Sequence, residues 1–142
     1  MPITYRIDHE RRIVLARGPV RFTDQDAFNY QLGVWSNPAI QGYDELFDMT
    51  NVEEIEEAPP ERIRQFARES AKMDQPESHS RLAIVAPQDI AFGLGRMYQV
   101  FRELSPGSTK KVGVFRSLRE ASAWLGIDDL PSDWSETGTK SR

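Results

Sequence analysis

Apolar and polar positions alternate from the start of the chain. The segment "ITYRID" puts Ile3, Tyr5 and Ile7 on one face and Thr4, Arg6 and Asp8 on the other, a period of two that predicts a half-exposed edge strand. "RIVLARG" is more continuously apolar, and the polar "HERR" between the two segments predicts an antiparallel hairpin, which Gly18 and Pro19 end. The period then lengthens. Thr23 followed by Asp26 is a capping-box-like start, Phe22 and Ala27 hold hydrophobic-staple positions, and Phe28, Gln31, Leu32 and Trp35 recur on one helical face until "NPAIQG". "YDELFDM" predicts the next strand. Pro59 and Pro60 suit a helix entrance, after which Ile63, Phe66, Ala67, Ser70 and Met73 or Asp74 form the inward stripe, with Arg62, Arg64, Arg68 and Lys72 mostly outward.

"SRLAIVA" and "KKVGVFRS" are short apolar runs without alternation, the pattern of strands covered on both faces of a parallel sheet. Helices precede and follow each. "LREASAWLG" predicts the last helix, with Leu118, Ala121, Trp124 and Leu125 inward and Gly126 as its C-cap. The expected order is ββαβαβαβα: an α/β fold in which an N-terminal β-hairpin is followed by βαβαβα units, giving a mainly parallel five-stranded sheet packed by helices. Residues 1–126 form one expected domain. Residues 127–142 are a polar tail in which only Leu130 and Trp134 offer anchors, and fraying is expected there. Right-handed crossovers would bring the loop from Thr50, the loop at 86–89 and the turn near Ser117 to one rim, the edge where open α/β sheets tend to bind ligands.

Composition narrows the function classes. A chain of 142 residues with net charge −4 has no global electrostatic attraction for nucleic acid, and no apolar run is long enough for a membrane span. Its opening residues lack the apolar core of a secretory signal. With no cysteine there is no disulfide, no thiol nucleophile and no thiolate metal site, and a cytoplasmic address is expected. The acidic stretch from Asp44 to Glu61, which includes Glu45, Asp48, Glu53, Glu54, Glu56 and Glu57, reads mostly as solvated faces and a loop unable to fix metal geometry.

The segment "FGLGR" is the one stretch that hints at a binding loop. A dinucleotide fingerprint fails because Tyr98 occupies its third small position, and a P-loop fails for want of a lysine followed by serine or threonine. One reading is an ordinary buried helix face formed by Ile90, Leu94, Met97, Tyr98, Phe101 and Leu104. Each interior glycine, however, costs about 1 kcal/mol relative to alanine, so Gly93 and Gly95 ask for a compensating close approach. The other reading is a small-ligand site in which Arg96 and helix-start amides hold an anion and Phe92 forms an apolar wall. His9 and His79 fall on polar connections, with neither HExxH spacing nor a triad partner, and Glu53 with Glu56 or Glu57 is a carboxylate pair on a solvated loop. No catalytic residue, metal or cofactor is expected.

The strand order, the segment "LFDMTNVEEIEEAPPERI" and the "FGLGRMY" helix resemble the STAS superfamily, the anti-sigma-factor-antagonist fold, in its divergent SpoIIAA-like branch, over about residues 1–126. The resemblance implies a non-enzymatic regulatory domain acting on a protein partner, and a homodimer. In regulatory members a strand ending in Leu-Asp leads to Asp-Ser-Ser-Gly, whose serine is phosphorylated. Here Phe47 and Asp48 match the strand end, but the signature falls on Glu56, Glu57, Ala58 and Pro59, so no hydroxyl is present for the switch. Thr50, the nearest hydroxyl, reads as a turn residue. The lipid-carrying CRAL-TRIO domains share the fold, which implies the alternative of a small amphipathic, anionic or apolar ligand held between helices, with Trp35, Phe92, Met97 and Tyr98 as candidate walls.

Overall fold

The structure, a computed structural model, describes residues 2–127. The tail positions Leu130 and Trp134 lie outside the described residues. Strands β1 (Thr4–Asp8) and β2 (Ile13–Arg17) form the expected hairpin, followed by β3 (Arg21–Phe22), α1 (Asp24–Val34) and β4 (Asp44–Asp48). Then come β5 (Glu54–Ile55), α2 (Pro60–Ala71), β6 (Arg81–Val85), α3 (Asp89–Leu104), β7 (Lys111–Phe115) and α4 (Leu118–Leu125). The main sheet runs β1-β2-β4-β6-β7, with β1 antiparallel to β2 and every other pairing parallel. The order of main-sheet strands and α-helices read from the sequence is therefore the observed one.

Register explains both layers. Val14, Ala16, Phe47, Leu82, Ile84 and Val112 join the core that holds Tyr30 of α1, Ala67 of α2 and Ala91 and Tyr98 of α3. Ile13, Leu15, Leu46, Ala83 and Val85 point the other way and pack with Ala121 of α4. Consecutive residues of β2 are thus all buried, as a strand with both faces covered requires. The ends of β2, β4, β6 and β7 are aligned through the pairs Arg17↔Asp48, Asp48↔Val85 and Val85↔Phe115, so the connections carrying Thr50, Pro87 and Ser117 leave the same rim.

Three expectations change. A two-stranded ribbon, β3 paired parallel to β5, occupies part of the acidic loop; strands of two residues leave no periodic signature. In α1 the inward residues are Tyr30 and the C-cap Trp35, whereas Leu32 is 52% exposed. In α3 the buried positions are Ala91, Gly95, Tyr98 and Arg102, leaving Ile90 at 70% and Leu104 at 74% exposure. The helix is turned so that Gly95, not a leucine, faces the sheet.

Gly95 meets the close approach that its helix cost called for. A Cβ there would lie 3.0 Å from Cγ1 of Val114 and 3.6 Å from Cγ2 of Ile84, whereas a Cβ at Gly93 would meet nothing within 4 Å. Gly95→Val is therefore expected to lower the unfolding free energy by about 1–3 kcal/mol through overpacking. Gly93→Ala is expected to raise it by up to about 1 kcal/mol through helix propensity. Urea titrations of the two variants check the contrast.

Candidate ligand cavity

The start of α1 is set by the reciprocal bonds of the capping box: the Asp26 amide donates to Thr23 Oγ1 at 3.1 Å and the Thr23 amide to Asp26 Oδ2 at 3.1 Å. This fixes Phe22 and Ala27 at the helix entrance. The start of α2 is set by Pro59 as N-cap and Pro60 as the first helical residue. The β3–β5 ribbon ties the two entrances together, continued by the Glu56 amide donating to the Phe22 carbonyl at 2.8 Å. Between α1, α2, α3 and the sheet these constraints leave a cavity of about 140 Å³.

Its walls are apolar and strongly aromatic. Phe22, Phe47, Phe66, Tyr30 and Tyr98 all border it, together with Ile55, Ile63, Ile84 and Leu94. At the mouth, Arg62 Nε donates to Asp24 Oδ2 at 2.9 Å, linking α2 to α1, and the guanidinium lies 5.0 Å over the Phe28 ring. Arg62 is thus a half-buried rim residue and not one of the outward cations that its neighbours are. Glu56 and Ala58 complete the mouth.

At the inner end sits Glu45. Its Oε2 accepts the Tyr30 hydroxyl at 2.7 Å, and its Oε1 pairs with Lys110 Nζ at 3.0 Å. Trp35 Nε1 donates to the Tyr30 oxygen at 3.2 Å, and the Lys110 ammonium rests 3.5 Å above the Trp35 ring. Glu45 and Asp48 are buried, two exceptions within an acidic stretch read as mostly solvated. Asp48 is used locally: its Oδ1 accepts the Thr50 hydroxyl and, at 2.9 Å, the Thr50 amide, so Thr50 is the turn residue its position implied.

A second buried polar cluster supports the wall. Arg102 donates to the Tyr98 hydroxyl at 2.8 Å and, through Nη2, to both carboxylate oxygens of Asp74. Burial raises the Tyr98 phenol above its ordinary value against the pull of the Arg102 cation. Burial likewise drives the Tyr30 phenol well above its ordinary value, and the Glu45 carboxylate adds to the effect. Both phenols have a higher pKa folded than unfolded, so their contribution is complete below about pH 10 and declines as pH rises from there through the folded value. The slope is about 1.4 kcal/mol per pH unit for each tyrosine. Urea unfolding across the alkaline range checks this, with Tyr30→Phe expected to show a shallower decline.

The residues singled out in "FGLGRMY" separate. Tyr98 and Gly95 border the cavity; Phe92, Gly93, Arg96 and Met97 do not. Phe92 lies under Arg116, whose guanidinium is 4.0 Å from the ring centroid and reaches Asp89 at 2.8 Å and the Pro87 carbonyl at 3.1 Å. Arg96 is exposed and about two turns beyond Asp89, the first residue of α3, too far along to share an anion with the first-turn amides. Trp35 is buried behind Tyr30 and not in the wall. Of the loop 56–58, Glu56 and Ala58 border the cavity and Glu57 does not. His9 Nδ1 lies 2.8 Å from the Tyr43 hydroxyl, and His79 is exposed. Among the described residues no three His, Asp or Glu side chains gather as a metal site.

Glu45 and Tyr30 went unnoticed as site residues although Glu45 left a trace. It is in phase with Tyr43 and Phe47 on a strand whose face is otherwise apolar, and a carboxylate at an inward position needs a buried partner. No family model matches the chain, and neither a curated protein nor a solved structure matches it.

Proposed function

We propose that this domain is a non-enzymatic, STAS-like binding module that takes a small, partly apolar molecule into the cavity under α1, α2 and α3. The observation that carries this reading is the cavity itself: an aromatic pocket reached near the rim where the parallel strands end, with a single buried carboxylate at its inner end. The STAS part of the proposal is supported by the ββαβαβαβα order and the mainly parallel sheet. On that likeness, the place of the family's phosphorylated serine is taken by Glu56, Glu57 and Ala58, and two of these line the mouth. The loop then serves ligand entry instead of a phospho-switch. An acidic, cysteine-free chain suits a cytoplasmic setting, and among the described residues no helix is long and apolar enough to cross a membrane.

Native mass spectrometry of the full chain tests the reading. A small-molecule adduct is expected that disappears in Ala27→Phe, in which a ring grows into the cavity from α1. An adduct unaffected by that change would place the ligand elsewhere and sink the proposal.

A second reading, protein binding by self-association, is favoured by the outer face of α3. Ile90, Gly93, Met97, Val100 and Leu104 recur there at alternating spacings of three and four, and Ile90, Val100 and Leu104 are exposed. Two copies laid antiparallel about Met97 would set Gly93 against Val100 and Ile90 against Leu104 of the other copy. Sedimentation equilibrium on Leu104→Glu decides: a dimer that becomes a monomer supports it, and a wild-type monomer at high concentration rules it out.

A further inference from the structure

Building on the cavity as a ligand site, we propose that its ligand is a single aromatic ring carrying one hydrogen-bond donor, a phenol- or amine-like compound, and not a long-chain or anionic lipid. Three observations converge on this class. The first is size. At about 140 Å³ the cavity lies well below the roughly 300–1,000 Å³ of sites for larger ligands, and close to the roughly 150 Å³ apolar cavity that is known to accept benzene. A volume of that order takes one ring.

The second is the wall. Phe22 and Phe47 meet edge to face at 6.0 Å between centroids and Tyr30 and Phe47 at 5.7 Å, while Phe66 and Tyr98 lie tilted by 33° at 5.3 Å, all of them bordering the same space. Rings so arranged offer both edges and faces to another ring, a geometry that favours an aromatic guest over an alkyl chain of equal area.

The third is charge. The ionisable groups bordering the cavity are Asp24, Glu45, Glu56 and Arg62 besides the two tyrosines, and Arg62 is held by Asp24. An entering carboxylate would meet Glu45 at the inner end with no uncommitted cation beside it, since Lys110 is already paired to Glu45. A hydroxyl or amine meets the reverse situation. Each Glu45 oxygen accepts one bond, from Tyr30 and from Lys110, whereas a carboxylate has about four lone-pair sites. The carboxylate retains capacity for a further donor, and a bond to a charged acceptor is the stronger kind.

The experiment is a set of parallel titrations of the full-length protein followed by amide and methyl NMR, using phenol, its isostere toluene, benzoate and palmitate. Phenol is expected to shift resonances of Ile84, Leu94 and Gly95 saturably and to bind more tightly than toluene, although toluene is the more readily driven out of water. Glu45→Gln should weaken phenol by about fivefold or more while leaving toluene within about twofold. The phenol-to-toluene ratio in the wild-type protein carries the test even if that variant folds poorly. Toluene binding as well as phenol, or benzoate or palmitate binding better, would overturn the donor-bearing ring while the cavity stood as a ligand site. No response to any probe in the wild-type protein, with spectra insensitive to the probes in the same way as those of Ala27→Phe, would overturn both.

Discussion

Replacing Asp74 by alanine will lower the unfolding free energy by about 3–5 kcal/mol, a large share of the roughly 5–15 kcal/mol available to a domain of this kind. Asp74 follows α2 and collects donors from three residues. Arg102 Nη2 reaches Oδ1 at 2.6 Å, and the amides of Thr109 and Lys110 reach Oδ2 at 2.9 Å and 3.0 Å. The Asp74 and Arg102 side chains are only 8% and 3% exposed. Alanine removes every one of these acceptors and leaves a guanidinium buried without its counter-charge, which is the costly way to break an internal ion pair. Asp74→Asn keeps part of the hydrogen bonding and is expected to fall between the two. Urea denaturation gives the numbers, and a midpoint unchanged in Asp74→Ala would contradict the structure at this point. The consequence reaches function through Tyr98. Its hydroxyl is held by Arg102 and its ring is a wall of the cavity, so loosening the cluster should also weaken ligand binding in the surviving folded fraction.

The elements were legible in the sequence wherever a period or a cap was long enough to register. The hairpin, the Thr23 capping box, the Pro59–Pro60 entrance and the Gly126 terminus follow from local chemistry that acts within a few residues, and each is where that chemistry put it. The inward face of α3 was harder to read because two of its buried positions are unusual. Gly95 carries no side chain to count as apolar, and Arg102 is a charged residue whose burial depends on Asp74, 28 residues earlier. A stripe built by counting large apolar residues therefore settles one step around the helix, onto Ile90 and Leu104.

The site was less legible than the fold for the same reason. Its members come from β3, α1, β4, β5, α2, β6 and α3, and nothing in a linear pattern says that Tyr30 meets Glu45 or that Arg62 meets Asp24. The glycine-rich stretch drew attention by its local oddity, and Gly95 proved to serve packing against Val114. Glu45 was the informative residue, a single inward carboxylate among apolar neighbours, but its meaning depends on Lys110, 65 residues away.

Lys110→Met is the second large effect, again about 3–5 kcal/mol of destabilisation, since it strands Glu45 at the inner end of an apolar cavity. The Lys110 and Glu45 side chains are 8% and 5% exposed, and the ammonium also gives up its position 3.5 Å above the Trp35 ring. Combining Lys110→Met with Glu45→Leu should restore much of the loss, because a buried pair replaced by apolar groups of similar volume often costs little. Recovery will be incomplete by about 1–3 kcal/mol, the cost of leaving the Tyr30 hydroxyl without its acceptor. Adding Tyr30→Phe is expected to remove part of that deficit. Urea titrations of the single, double and triple variants form a cycle in which the double variant must lie above Lys110→Met; if it lies below, Glu45 and Lys110 are not coupled as the structure has them. The double variant also separates stability from recognition: a folded protein whose cavity has lost its carboxylate should bind toluene at least as well as phenol, whereas the proposed ligand class requires the reverse order in the wild-type protein.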